Sequence, residues 1–127
     1  MPRNRKSREP GPEDRVRAEH MLALSREAIS QFADIDLTMF LSRRLYQTSL
    51  AWYLQSIGEA ASRISDQSRA LIPGIPWTQV VGTRHILSHE YDRLAPAKLW
   101  HVLQVHLPKM VAELESGLRL LPTAGLT

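Results

Sequence analysis

Apolar residues recur at steps of three and four along most of the chain, which is the spacing of helices that bury one face. The pattern predicts long helices over about 13–33, 37–63, 77–90 and 96–121, and a short helix that begins near Asp66. No segment has the strict alternation that is typical of a half-buried strand. The sequence therefore predicts an all-α bundle of four long helices and one short helix.

Three of the predicted long helices have a clear apolar stripe. The stripes of the first, second and last helices are Met21, Leu24, Ala28, Phe32 and Ile35; Tyr46, Leu50, Tyr53 or Leu54, Ile57, Ala61 and Ile64; and Leu99, Leu103, Leu107, Met110, Leu114, Leu118 and Leu121. Gly58, Ala60 and Ala61 are small residues in the second helix, and they would let another helix cross it closely. Pro108 should kink the last helix because its ring removes a backbone donor.

Polar and breaker residues mark the boundaries of these elements. Asp36 is a suitable N-cap for the second helix, and Asp66 is well placed in the first turn of the short one. Residues 1–12 contain three prolines and a glycine with almost nothing apolar, so we expect a disordered basic tail there. This tail is either a flexible leader or an arm that tethers RNA. The helical domain is expected over 13–122, and a short C-terminal tail over 123–127.

Composition narrows the class of protein without naming a function. A length of 127 residues fits one domain, and the absence of cysteine excludes disulfides and thiolate metal sites. The basic N-terminus is not followed by an apolar stretch, and no run of about 18 apolar residues occurs. We therefore expect a cytoplasmic protein that neither spans a membrane nor carries a secretory signal.

The net charge of +3 lies entirely in the first 17 residues, which hold six basic and three acidic groups. The remaining residues carry ten of each sign. Any electrostatic attraction to RNA must therefore come from a local patch or from the tail.

The residues best suited to chemistry lie near the end of the fourth predicted helix. Arg84 can hold phosphate oxygens through two donors, and His89 can move a proton near neutral pH. Tyr91 adds a phenol. An arginine and a histidine suffice for RNA cleavage without a metal or other cofactor, because the substrate supplies its own 2′-hydroxyl as nucleophile.

Helical geometry complicates a site within one chain. At about 100° per residue, His89 lies about 140° around the helix from Arg84, whereas Tyr91 returns to within about 20° of it. A site that uses both Arg84 and His89 forms more easily if the helix frays near His89, or if a second copy of the chain contributes its own residues to a shared cleft. A two-fold dimer with this helix near its axis would gather two arginines and two histidines.

A set of ordered motifs resembles the HepT-type HEPN toxins. Arg84-x4-His89-x-Tyr91 matches the R-x4-H-x-Y signature of that family. The supporting motifs are Ile57-Gly58-Glu59-Ala60-Ala61, similar to the "IGEA" stretch; Ile75-Pro76-Trp77 followed by Gly82, similar to the "IPW…G" lead-in; and Trp100 with Leu107-Pro108. The similarity covers about residues 14–121. His85 departs from the pattern, since the family usually has asparagine after the arginine.

The resemblance implies an α-helical HEPN homodimer that cuts RNA without metal in a cleft between protomers. It further implies a toxin whose partner is an MntA-type nucleotidyltransferase antitoxin, which silences it by transferring adenylate to Tyr91. By this resemblance Arg84 and His89 are catalytic, and Tyr91 is the modification target and helps to position phosphate. His85, Ser88 and Glu59 are candidate supports of the cleft.

Other interpretations of the same residues remain open. His85 and His89 have the i, i+4 spacing of a metal pair, but no third ligand is evident, so we predict no metal. Trp52 with Tyr53, and Trp77, could stack on bases or could belong to the core or an interface. Glu59 could pair with Arg63 or line the cleft. The alternative function is a catalytically silent helical partner that regulates a nucleotidyltransferase or holds a nucleotide.

Overall fold

The computed structural model describes residues 11–89 and 95–122, and over residues 85–89 it describes the backbone only. Its elements are α1 (Pro12–Gln31), α2 (Leu37–Ser42), α3 (Arg44–Ser62), α4 (Asp66–Leu71), α5 (Trp77–His89), α6 (Pro96–His101), a π-helical segment (Val102–His106), α7 (Leu107–Gly117) and a 3-10 turn (Leu118–Leu120). Every regular element in these two ranges is helical, which confirms the predicted all-α bundle. The predicted tails, apart from residues 11 and 12, and Tyr91 lie outside the described residues.

The predicted apolar stripes form one core. Members of the stripes on α1, α3 and α7 are buried together, and Ile35, Tyr46 and Leu118 are half-buried at the edge. Burial of these side chains is the main favourable term in the packing of the helices. None of the helices in the described part of the chain is both long and apolar enough to cross a membrane.

The prediction of one helix over 37–63 is wrong, because the chain breaks at Arg43. This residue has extended backbone angles and separates α2 from α3. The break leaves Phe40 fully buried, with its ring against Phe32 and Trp100 at 5.9 and 5.2 Å. The side-chain amide of Gln47 donates to the carbonyl oxygens of Phe40 and Leu41, which satisfies carbonyls that the break leaves without helical donors. Asp36 caps α2 as predicted, accepting from the amide of Met39 at 2.8 Å.

The irregularity expected at Pro108 takes the form of a π-helical segment. The wider turns of Val102–His106 end directly before α7, in which Pro108 lies in the first turn. A proline there lacks the N–H that a regular helix would use and its ring crowds the preceding turn, and a π turn relieves both problems. Leu103, Leu107 and Met110 all stay buried across this change of register.

The start of α1 is fixed by a buried carboxylate. Asp14 is 1% exposed and accepts hydrogen bonds from the hydroxyls of Ser65 and Ser68 at 2.6 and 2.8 Å, and from the amide of Ser65. Burial alone raises the pKa of the Asp14 carboxyl, but the bonds from Ser65 and Ser68 outweigh it and hold that pKa below its usual 3.8. The Ser65 hydroxyl also caps α4, so one network ties α1 to α4.

Two of the aromatic residues considered for base stacking belong to the core. Trp77 is buried, and its indole N–H donates to the carbonyl oxygens of Arg69 and Ile72 at 3.1 and 3.0 Å. Tyr53 is also buried, and burial together with its hydroxyl's bond to Glu27 raises the pKa of Tyr53 to about 12. Trp52 differs, because 56% of it is exposed.

Candidate active site

Arg84 lies where α5 crosses α3 at very close range. A Cβ atom placed on Gly58 would sit 2.6 Å from Cβ of Arg84 and 2.9 Å from the carbonyl oxygen of Val80. Real Cβ atoms essentially never approach so closely, so any side chain at this position would push α5 away. The close crossing predicted from the small residues of α3 is therefore confirmed, and it fixes the backbone from which Arg84 projects.

Glu59, the next residue of α3, holds the guanidinium of Arg84. Its Oε2 accepts from Nη1 of Arg84 at 2.9 Å, while its Oε1 lies 3.2 Å from Nη2 of Arg63. The predicted pair with Arg63 is thus present, and the same carboxylate also contacts the candidate catalytic arginine. The Arg84 side chain remains 35% exposed. It is tethered by the carboxylate of Glu59 and is still accessible to a phosphate.

The rest of the motif follows Arg84 on α5. His85, Ser88 and His89 occupy helical backbone, which runs unbroken to His89, and their side chains lie outside the described part of the chain. Tyr91 lies outside it altogether. The described backbone of α5 is helical up to His89, so positions 84 and 89 lie about 140° apart around its axis. The predicted alternative of fraying near His89 concerns residues that lie partly outside the described part of the chain.

Trp77 fixes the other end of α5. It is the first residue of that helix and lies two turns before Arg84. Its indole N–H donates to carbonyl oxygens at the end of α4. The guanidinium of Arg69 lies 5.7 Å from its ring centroid, in the range of a cation–π contact. The core therefore sets the direction of α5 from Trp77, while Gly58 sets its distance from α3.

Sequence reasoning missed two side chains close to this arrangement. Arg17 and His20 of α1 line the same surface groove as Glu59 and Arg63. Their one signal in the sequence is a spacing of three on a predicted helix. That spacing places them on one face of α1, but nothing in the sequence fixes how α1 is aligned along α3. Across the described residues, no cluster of three or more histidine, aspartate or glutamate side chains is placed to hold a metal.

The family of this protein follows from its similarity to known sequences. Residues 22–116, three-quarters of the chain, match the family model described as "Ribonuclease HepT-like". The chain belongs to the HepT-like ribonuclease family. The bundle is accordingly of the HEPN type, as the motifs predicted. The matched range includes Gly58, Glu59 and the run from Arg84 to His89.

Individual HepT-like relatives are similar over most of their length. A Methanocaldococcus jannaschii protein, provisionally named an RNase, is 30% identical over 95 residues, which cover 75% of this chain and 87% of the relative. A Thermococcus cleftensis protein named as a probable ribonuclease HepT is 29% identical over 90 residues, or 70% of this chain and 82% of the relative. No solved structure gives a significant match.

The close crossing of α3 and α5 predicts opposite effects of the same substitution at two helical glycines. Gly82→Ala should raise the free energy of unfolding by up to about 1 kcal/mol, because alanine is the better helix former and its methyl group would meet nothing within 4 Å. Gly58→Ala should lower it by roughly 2 kcal/mol, since overpacking outweighs that gain. Urea unfolding of both variants measures the difference. Equal stabilisation would contradict the close crossing.

Proposed function

We propose that this protein is a metal-independent endoribonuclease and the toxin of a toxin–antitoxin pair, with Arg84 and His89 as its catalytic residues. The observation that supports this proposal most is that the position of Arg84 is fixed by the close crossing at Gly58 and by the carboxylate of Glu59. Arg84 lies on the same helix as His89, and the chain belongs to the HepT-like ribonuclease family. A half-exposed arginine at a fixed position is suited to hold a phosphodiester.

The chemistry needs one proton acceptor, one proton donor and a stabiliser of negative charge. The 2′-oxygen of the RNA attacks the adjacent phosphorus, a P–O2′ bond forms and the P–O5′ bond breaks. The products are a 2′,3′-cyclic phosphate and a 5′-hydroxyl. His89 takes the proton of the 2′-hydroxyl and gives one to the leaving 5′-oxygen. Arg84 neutralises the charge that builds up on the pentavalent phosphorus.

A homodimer can bring Arg84 and His89 to the same phosphate. His89 and Arg84 diverge on the regular helix α5, so one chain does not present both positions to the same phosphate. Two copies of α5 near a two-fold axis would bring an Arg84 of one chain near the His89 of the other. The cleft then contains two such pairs of Arg84 and His89, and each pair is contributed by both chains. His85 and Ser88 would line this cleft.

Regulation is proposed at Tyr91. An MntA-like nucleotidyltransferase antitoxin would transfer adenylate from ATP to the phenol oxygen, with pyrophosphate as the leaving group. The product carries a bulky, negatively charged phosphodiester two residues after His89. Like-charge repulsion would keep substrate phosphate away from Arg84, so modification silences the toxin.

RNA cleavage by the purified chain in excess EDTA tests the proposed activity. The wild type should cut single-stranded RNA, whereas Arg84→Ala and His89→Ala should each lower the rate by a factor of about 100 or more. His101→Ala and Arg119→Ala are matched controls, because these exposed side chains lie outside α5, and they should cut as the wild type does. Cleavage equal in all variants, or absent in all, would favour the silent helical partner instead.

The proposed regulation is tested by co-expression with the cognate nucleotidyltransferase. Mass spectrometry should find one added AMP on the peptide that contains Tyr91, and the modified protein should lose its RNA cleavage. Tyr91→Phe should remain unmodified and active beside the same transferase. Adenylate on another residue, with Tyr91 untouched, would contradict the assignment.

A further inference from the structure

A groove of about 450 Å³ runs between α1 and α3, beside Arg84. Arg17 and His20 line it from α1, and Gln55, Ser56, Glu59 and Arg63 line it from α3 and its C-cap. Glu59 forms the boundary between this groove and the candidate active site, because one of its oxygens contacts Arg63 and the other contacts Arg84. The groove and the candidate catalytic arginine therefore share one carboxylate.

The charges of the groove favour an anion. Glu59 is the one carboxylate in the described lining, and both of its oxygens already contact arginines. Arg17 contributes a further positive charge, and the ring of His20 lines the groove as well. The helical domain beyond residue 17 is balanced in charge overall, so this concentration of cations is a local feature of the surface.

Arg17, which lines this groove, has a side-chain donor without a partner in the described part of the chain. Its Nη1 is buried and has no hydrogen-bond partner among the described residues. A buried guanidinium N–H without an acceptor is unfavourable, and an acceptor supplied by a ligand would remove that cost. A phosphate oxygen is the acceptor that fits arginine best.

We propose that this groove binds a backbone phosphate of the RNA that flanks the phosphate being cut, with Arg17 as its principal ligand. The amide of Gln55 and the hydroxyl of Ser56 supply neutral donors suited to phosphate and sugar oxygens. Such contacts position the strand without reading its bases. This inference rests on the proposed ribonuclease function and adds a site for the strand outside the scissile bond.

Binding of a single-stranded 2′-O-methyl oligonucleotide tests the groove directly, since this RNA lacks the nucleophile and stays intact. Arg17→Gln should weaken binding by about tenfold and reduce the slope of log affinity against log salt by about 0.7, the contribution of one phosphate contact in a single strand. Arg17→Lys keeps the charge and should keep the slope. Thermal unfolding of each variant shows that it is folded.

Arg26→Gln is the matched control on the same helix. Arg26 lies nine residues from Arg17, on the opposite face of α1, and pairs with Glu115 of α7. Its loss should leave both affinity and salt slope at the wild-type values. Equal effects of Arg17→Gln and Arg26→Gln, or no effect of either, would overturn the proposed groove.

Substrate length separates this groove from the catalytic site. With a long oligonucleotide Arg17→Gln should raise KM with kcat nearly unchanged, whereas cleavage of a dinucleotide, which has no flanking phosphate, should be unaffected. An equal loss on both substrates would overturn the flanking site. If wild type binds RNA through Arg17 but cuts none, the ribonuclease proposal fails while the groove stands.

Discussion

The arrangement of this molecule depends on the contact between the backbones of α3 and α5 at Gly58. Because that position has no side chain, α5 lies close enough for Arg84 to meet the carboxylate of Glu59 on the next residue of α3. The buried indole of Trp77 fixes the start of the same helix. The position of the candidate catalytic arginine is thus set by main-chain packing and by the core, rather than by a loop that could move.

Much of this could be predicted from the sequence, because the relevant signals are local. The stripe of leucines and Met110 gave the buried face of the last helix, and Asp36 gave the start of α2. The small residues around Gly58 predicted a close crossing, although the helix that crosses there could not be named from spacing alone. The motif from Arg84 to Tyr91 indicated the chemistry through its resemblance to HepT-type proteins, which the family match supports.

The features that sequence reasoning missed depend on tertiary contacts. No glycine or proline marks the break at Arg43, which exists because Phe40 reaches the core between Phe32 and Trp100. The register of α1 along α3 is set by burial and by the bonds of Asp14 to Ser65 and Ser68, so Arg17 could not be placed beside Glu59 in advance. Pro108 predicted an irregular helix but not that the irregularity would be a π-helical segment.

Mixing two inactive variants tests most directly whether Arg84 and His89 act together in a cleft built from two chains. Arg84→Ala and His89→Ala are each purified, mixed, and exchanged into heterodimers whose formation native mass spectrometry confirms, and RNA cleavage is then measured. A heterodimer retains one Arg84 and one His89 on different chains, so the account predicts that cleavage reappears although each variant alone is inactive. Heterodimers that stay as inactive as their parents would contradict it.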